Sequence, residues 1–509
     1  MKEIKSKLNP SARGERLTSS ALTALVIGVF IAVNAVVYAL TVAFGLYLYS
    51  PSTDDMTISG STDALFEKYD GEKVKIIFCR DKSTFESATM ERDEVTVFQN
   101  TAAQFEQRYP DFIEIEYVNT YTKRNADGEF VDLTKYQDVN PTTNEVYPIY
   151  TTSVIIASET TGQHRVIYNV ASSAFTYNAS ASPDSRSYSS YTGEELLASM
   201  VCWVLEPEHK TVYFTTYHGE TSDIFFANML SCAGYYVETI DLSKNEIPEN
   251  ADLVVISNPI KDFEASVEGS KVRAEIDRLA TYLERGGNLY VALDPYVEKL
   301  PVLEGLIAEY GIALRETEID GKVYRNIVKD SDNAVTTDNF TLIAEMAGND
   351  TAGKIEGSYS EYTDGKIIVR ECAALELSYG AEPILLTSRS SSTYVLGEKT
   401  DKEGSYCIGA VSKTGDGEGR IFVSPSVYLV ANDALTTSGY ANRDFLYSLL
   451  ENAYGADIVP YGCAPIYVDS GALENLTMKT ARGYTVLLLS IPMAIAVVGA
   501  VIVIKRKNR

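Results

Sequence analysis

Histidine and tryptophan are scarce in this chain, which carries His164, His209, His218 and Trp203 and no others in 509 residues. The H-E-x-x-H pattern of a zincin is missing. Six cysteines, Cys79, Cys202, Cys232, Cys372, Cys407 and Cys463, are scattered without a C-x-x-C pair, which excludes a zinc ribbon and a thioredoxin-type redox site. An even number permits disulfides, but several sit in strand or helix patterns, where a buried free thiol is the plainer reading. No G-x-x-x-x-G-K-[ST] phosphate loop occurs, so the chain is no motor ATPase. Nor does the central region hold the G-x-S-x-G elbow, or an equivalent cysteine turn, of a hydrolase or glutamine amidotransferase. Positive charge is also short: 44 basic against 70 acidic residues give a net charge of −26. Neutralising phosphates needs lysine and arginine in excess, which argues against a nucleic-acid partner. No cofactor is expected.

What is present is globular in composition, 45% apolar and 22% charged, and long enough for two or three domains. The charge is unevenly placed. Residues 1–20 carry Lys2, Lys5, Lys7, Arg13 and Arg16 against Glu3 and Glu15, and Lys505, Arg506, Lys507 and Arg509 lie in 505–509, so basic ends flank an acidic body. Just inside those ends, Ala21 to Tyr49 and Tyr484 to Ile504 contain no Asp, Glu, Lys or Arg. Each can cross a hydrocarbon core of roughly 30 Å at about 1.5 Å per residue, so both are expected to be transmembrane helices. The first run is longer than a signal-peptide h-region and shows no obvious small-x-small cleavage site. Asn34 and Pro492 lie within the runs, where a neighbouring helix or an ordinary anchor tolerates them. The positive-inside rule then puts both termini in the cytoplasm and the large acidic domain outside the cell membrane.

The rest of the chain is organised around Thr211 to Pro295. Thr211-Val-Tyr-Phe-Thr-Thr216 is a β-branched and aromatic run, followed by Tyr217-His218-Gly219-Glu220, with Ser222 and Asp223 as helix-cap candidates before Ile224 to Cys232. Leu253-Val-Val-Ile256 is a second strand, and Val272, Ile276, Leu279, Ala280 and Leu283 mark one face of a helix ended by Gly286-Gly287. Leu289 to Leu293 is a third strand. This alternation predicts an α/β fold with a doubly wound, flavodoxin-like parallel sheet, whose functional edge lies where the strands end. His218, Glu220, Asn258 and Asp294 fall on that edge as candidate ligand or partner contacts.

The full reading is a basic tail at 1–20, an anchor at 21–49, a small thioredoxin-like β-α-β-β module at 63–170 without its cysteines, and a Ser/Tyr-rich linker at 171–192. A central α/β domain follows at 193–330, then a β-rich insertion at 331–419, a return of the central domain at 420–480, the second anchor at 484–504 and a basic tail at 505–509.

His218 with Glu220 is the strongest constellation, an imidazole and a carboxylate at a strand's carboxyl end, where acid-base and ligand-binding groups are often found. A turn of this kind also uses polar side chains simply to satisfy backbone and cap the next helix. Glu220 and Asp294 as a glycoside-hydrolase pair is a weaker possibility, because acids at strand ends are common in an acidic protein. The 35 tyrosines suit sugar or peptide contacts, or plain packing.

Taken in order, Lys73 to Phe78 after the first anchor, Thr192-Gly193-Glu194-Glu195, Tyr213 to Glu220, Ala251 to Ile256 with Asn258-Pro259, Gly286 to Leu289 running into Asp294-Pro295, and Ala441-Asn442-Arg443-Asp444-Phe445 resemble the GldG-like auxiliary components of gliding-motility-type ABC transporters. One departure is Tyr217, where that family more often has glycine. The resemblance covers nearly the whole chain. It implies a non-enzymatic membrane subunit whose partners are an ABC transporter permease, a separate ATP-binding subunit and the lipid bilayer, with an ectodomain that gates or receives cargo. The alternatives are a tethered exported module binding cell wall or polysaccharide and, behind it, a membrane-tethered hydrolase.

Overall fold

The computed structural model describes residues 57–467 except 70–71, 88–93, 140–144, 178–187, 222–223, 270–272, 416, 418, 438 and 464. Both expected anchors, the basic tails and the cap candidates Ser222 and Asp223 lie outside the described residues. No helix among the described residues is long and apolar enough to cross a membrane.

The apolar, β-branched runs of the sequence become strands of one large mixed sheet. In chain order they are β5 (Thr211–Thr215), β6 (Tyr236–Ile240), β7 (Ala251–Ser257), β8 (Leu289–Ala292), β9 (Ile312–Leu314), β10 (Leu375–Leu377), β11 (Cys407–Thr414) and β12 (Gly419–Ser424), numbered after four of the five strands of a smaller sheet described below. Their spatial order is β9-β10-β11-β12-β8-β7-β5-β6. The run β6-β5-β7-β8-β12 is parallel throughout. Taken by chain position those strands stand as 2-1-3-4-5, an order used by doubly wound sheets. The direction reverses at β11, which runs antiparallel to β12, and β10 and β9 continue antiparallel.

Side chains alternate across a strand, so a sheet covered on both faces must be apolar at every position. That is seen here: Val212, Phe214, Leu253, Val255, Tyr290 and Phe422 enter one core, and Val254, Ile256, Leu289, Val291, Ile421 and Val423 enter the other. The first face is covered by α2 (Gly193–Leu205), α3 (Ile224–Cys232) and α6 (Asn442–Tyr454), represented in that core by Leu197, Leu230 and Phe445. The second is covered by α4 (Glu275–Glu284) and α5 (Pro301–Glu309), through Leu279, Leu283 and Leu303. At roughly 1.5–3 kcal/mol for each large apolar side chain fully buried, these two layers supply the main driving force for the fold.

The smaller sheet contains β1 (Val74–Phe78), β2 (Ile113–Asn119), β3 (Val154–Ser158) and β4 (His164–Ile167), with α1 (Glu94–Arg108) between the first two strands. β1 pairs parallel with β2 and antiparallel with β3, and β3 with β4 forms an antiparallel pair. This is the β-α-β-β order expected for residues 63–170. Its core residues Val74, Phe98 and Ile156 are continuous with the α2–α3 face of the central sheet.

Four local expectations change. Tyr236–Ile240 is a strand at the parallel edge of the sheet, although its largely exposed side chains give no continuous apolar run. Residues 171–192, expected as a linker, include the helix Val170–Ala174 and the paired strands Phe175–Tyr177 and Tyr188–Tyr191. The segment 331–419 lengthens the central sheet through β10, β11 and Glu382–Leu386. It also contains a helix, Asp350–Tyr359, whose Gly353 and Gly357 conceal its helical pattern. All six cysteines are free and five are buried, in line with the buried-thiol reading.

Two stretches far apart in sequence are buckled together. The carboxylate of Glu195 in α2 accepts from Arg443 Nε at 2.5 Å and from Tyr447 Oη at 2.6 Å, with Arg443 Nη2 on its second oxygen. Glu194 accepts from the backbone and side chain of Ser59, both at 2.8 Å. Asn442 pairs both ways with the Ile368 backbone, accepting from N at 2.8 Å and donating to O at 2.9 Å. The Thr192–Glu195 and Ala441–Phe445 motifs are therefore structural connectors between the first core layer and the later sheet segment.

Candidate functional site

A doubly wound sheet opens a crevice where successive connections leave in opposite directions, at the carboxyl ends of the strands. Here that point lies between β5 and β7: the chain leaves β5 toward β6, then crosses to β7 on the other side. Tyr217 to Glu220 follow β5, and Asn258-Pro259 follow β7.

The backbone there is sharply turned. Tyr217, Gly219 and Asn258 have φ of +95°, +78° and +53°. Asparagine tolerates the left-handed region and glycine adopts it freely, but tyrosine at +95° is strained. Gly219 is also packed tightly, since a Cβ there would lie 2.3 Å from Ile260 Cγ1. The two loops are stitched together: His218 O accepts from Ile260 N and Lys261 N, both at 2.9 Å, and Ser257 O accepts from Thr221 N at 3.2 Å.

This turn drives the His218 side chain inward, where it is only 2% exposed. Nδ1 lies 3.0 Å from Glu220 Oε1 and Nε2 lies 2.9 Å from Glu275 Oε2. The ring stacks on Phe263, with centroids 3.9 Å apart. A carboxylate only accepts, so with one against each nitrogen both nitrogens donate and the ring is an imidazolium. Burial alone would lower the His218 pKa, but the hydrogen bonds and charges of Glu220 and Glu275 outweigh it and raise the value. For Glu220, burial works upward and the His218 hydrogen bond downward, with a net lowering.

Each carboxylate also holds backbone. Glu220 Oε2 accepts from His218 N at 2.7 Å, and Glu275 Oε2 accepts from Glu264 N at 2.8 Å. Next to it, Asp262 accepts from Val302 N at 2.8 Å and Leu303 N at 3.1 Å, fixing the start of α5. The whole edge is thus tied to the first turns of α4 and α5.

Of the four expected site residues, the structure unites His218 and Glu220. Asn258 shares the crevice, donating from Nδ2 to Thr221 Oγ1 at 3.3 Å, while its Oδ1 is buried without a partner among the described residues. Asp294, beyond β8, is occupied in a turn by Tyr296 N at 2.8 Å. With Glu220 committed to His218 and Asp294 to backbone, neither carboxylate is held as the acid or base of a glycosidase pair.

Glu275 lies 57 residues beyond His218 and is not among the residues the pattern singles out. An acid at a helix start is favourable on its own account, so nothing in the pattern marks Glu275 as an imidazole partner. No group of three or more His, Cys, Asp or Glu residues among those described is placed to hold a metal ion. Chemically, the cluster can hold a proton and position two loops. A buried imidazolium with both nitrogens engaged has no free lone pair to act as a base.

No family model and no curated protein matches the chain. Among solved structures, the mmIFT52 N-terminal domain is 15% identical, over 48% of this chain and 96% of that one, with a TM-score of 0.35. A putative ThuA-like protein from Bacteroides uniformis is 12% identical over 47% and 89%, TM-score 0.27. PurLQS from Thermotoga maritima is 11% identical over 48% and 99%, TM-score 0.27. Similarity at this level carries no argument about function.

Proposed function

We propose that this chain is a non-enzymatic, membrane-anchored subunit of an ABC-type transport system of GldG-like character. Its extracytoplasmic body, a flavodoxin-like domain with a smaller thioredoxin-like module, gates or receives cargo for a separate permease and ATPase. The observation that carries the reading is the condition of the His218 cluster. The most chemically promising group of the sequence is a buried strut between two loops and a helix, and no serine or cysteine elbow accompanies it. That supports a scaffold over a hydrolase. The uncharged runs Ala21–Tyr49 and Tyr484–Ile504, each bordered by basic residues, support anchoring with both termini in the cytoplasm. Energy for transport then comes from another polypeptide.

Purification of the full-length chain from its host in mild detergent tests this directly. The expected result is co-purification of a polypeptide that photo-crosslinks ATP, lost when its phosphate-loop lysine is replaced. A chain that runs alone, or whose central domain is digested only from the cytoplasmic side, overturns the proposal.

A further inference from the structure

A cavity of about 320 Å³ opens where the smaller sheet meets the central domain. Its walls come from β4 and the helix after it, from α2 and α3, and from the segment before α6. Much of the lining is apolar, including Phe175, Leu196, Met200, Phe225 and Met229. Two arginines and one glutamate also face it: Arg165, Arg443 and Glu195. Glu195 is committed to Arg443 and Tyr447, which leaves that pair neutral.

Arg165 is different. Among the described residues it forms no ion pair with a carboxylate, and the hydrogen bond it makes there runs from Nη2 to Ser231 Oγ at 2.8 Å. It is held instead over the indole of Trp203, 4.6 Å from the ring centroid. Trp203 is itself stacked on His209, with centroids 3.6 Å apart and planes within 5°. That imidazole is kept neutral, its pKa lowered to about 4 by burial and then by the charge of Arg165. Asp138 acts on Arg165 electrostatically without ion-pair contact. In a protein with 70 acidic residues, this guanidinium lines a cavity whose one carboxylate among the described residues, Glu195, is engaged by Arg443 and Tyr447. With one Nη2 hydrogen given to Ser231, the guanidinium keeps N–H donors for bidentate recognition of a carboxylate.

We infer that this cavity binds a small organic carboxylate with an apolar body, the carboxylate received by Arg165 and the body by Phe175, Leu196, Met200 and Phe225. A single cation in an apolar wall suits a monoanion, whereas phosphate sites generally gather several cations or a row of backbone amides. Serine and asparagine residues in the lining, among them Ser172 and Asn228, add neutral donors for orientation. The inference is independent of the transport reading, since the cavity's lining shares no residue with the His218 cluster.

The test is calorimetry on the full-length chain in detergent with three probes: phenylacetate, the neutral isostere phenylacetamide, and inorganic phosphate. Phenylacetate is expected to bind saturably, with phenylacetamide and phosphate weaker by about tenfold or more. Arg165→Met removes the phenylacetate preference, and Arg165→Lys keeps part of it, because a point charge remains without the fork. Met229→Trp, which fills the cavity and leaves Arg165 in place, abolishes binding and decides the matter if Arg165→Met does not fold. Equal binding of the acid and its amide, phosphate binding as tight as phenylacetate, no phenylacetate binding by the native chain, or undiminished binding by Met229→Trp overturns the inference.

Discussion

Two cations in this molecule, one buried and one half-buried, are treated in opposite ways. His218 has a carboxylate on each ring nitrogen, an aromatic ring on its face and almost no solvent contact. Arg165 has an aromatic ring on its face too, but a hydroxyl as its protein hydrogen-bond partner and an open cavity in front of it. A charge removed from water is costly unless it is paired and hydrogen-bonded. His218 meets that cost inside the protein, while Arg165 leaves it for a ligand to meet. The contrast separates structure from recognition: the ring paired on both nitrogens holds loops in place, and the cation without an anion against it can recognise something. It also reverses the ranking suggested by the sequence, in which His218 stood out and Arg165 was one basic residue in a short strand.

The largest effect is expected from breaking the ion-paired side. His218→Ala leaves Glu220 and Glu275 buried without a cation, so unfolding free energy should fall by about 3–5 kcal/mol in urea melts. Arg443→Met does the same to Glu195 and is expected to cost about as much. A loss below about 1 kcal/mol in either variant would show that water enters and solvates the carboxylates. Gly219→Ala is expected to cost somewhat less, about 1–3 kcal/mol, because alanine must adopt φ near +78° and displace Ile260. Arg165→Met, by contrast, removes a charge that lacks an anionic partner, so its stability should stay within about 1 kcal/mol of the native chain.

The fold was more legible than the site, for a physical reason. Strands covered on both faces must be apolar throughout, and Leu253–Ile256 and Leu289–Leu293 show this in one line of sequence. An edge strand such as Tyr236–Ile240 needs no such run and leaves no comparable trace. Loop residues at the strand ends could be placed on one edge from the order of elements alone, which brought His218, Glu220 and Asn258 together. Asp294 sat on the same edge by that logic, yet its side chain serves its own turn. Contacts made across long separations were illegible: Glu275 to His218, Glu195 to Arg443, and Trp203 under Arg165 depend on how layers stack. The resemblance marked Glu195 and Arg443 as motif members without showing that they meet.

The pH dependence of the His218 cluster gives a smaller and sharper test. His218 has a raised pKa, so its contribution is complete below its ordinary value of 6.5 and is lost as pH rises through the folded value. Glu220 has a lowered pKa, so its contribution is present above its ordinary value of 4.5 and is lost as pH falls through the folded value. The stability advantage of the native chain over His218→Gln should therefore be greatest between these values and shrink as pH is raised through the folded His218 value. Arg165 does not titrate in this range, and Arg165→Met should run parallel to the native chain. Urea midpoints at several pH values measure both. An advantage that grows with alkalinity would mean that His218 is neutral when folded.

The smallest effect concerns the one residue in the crevice that departs from the resemblance. Tyr217 holds φ +95°, costly for a side chain with a Cβ, and it is 66% exposed. Its visible returns are an edge contact with the His218 ring, centroids 6.1 Å apart, and Lys244 Nζ 5.7 Å from its own centroid. Exposed contacts of this kind are worth about 0.5–1 kcal/mol, whereas the backbone strain is about 1–3 kcal/mol. Glycine loses more entropy on folding, which offsets part of the relief. Tyr217→Gly is therefore expected to raise stability by about 0.5–1 kcal/mol without altering the His218 pKa, read by imidazole NMR. A destabilised variant with a shifted His218 resonance would show instead that Tyr217 helps to seal the cluster, extending the closed side of the comparison to the surface of the crevice.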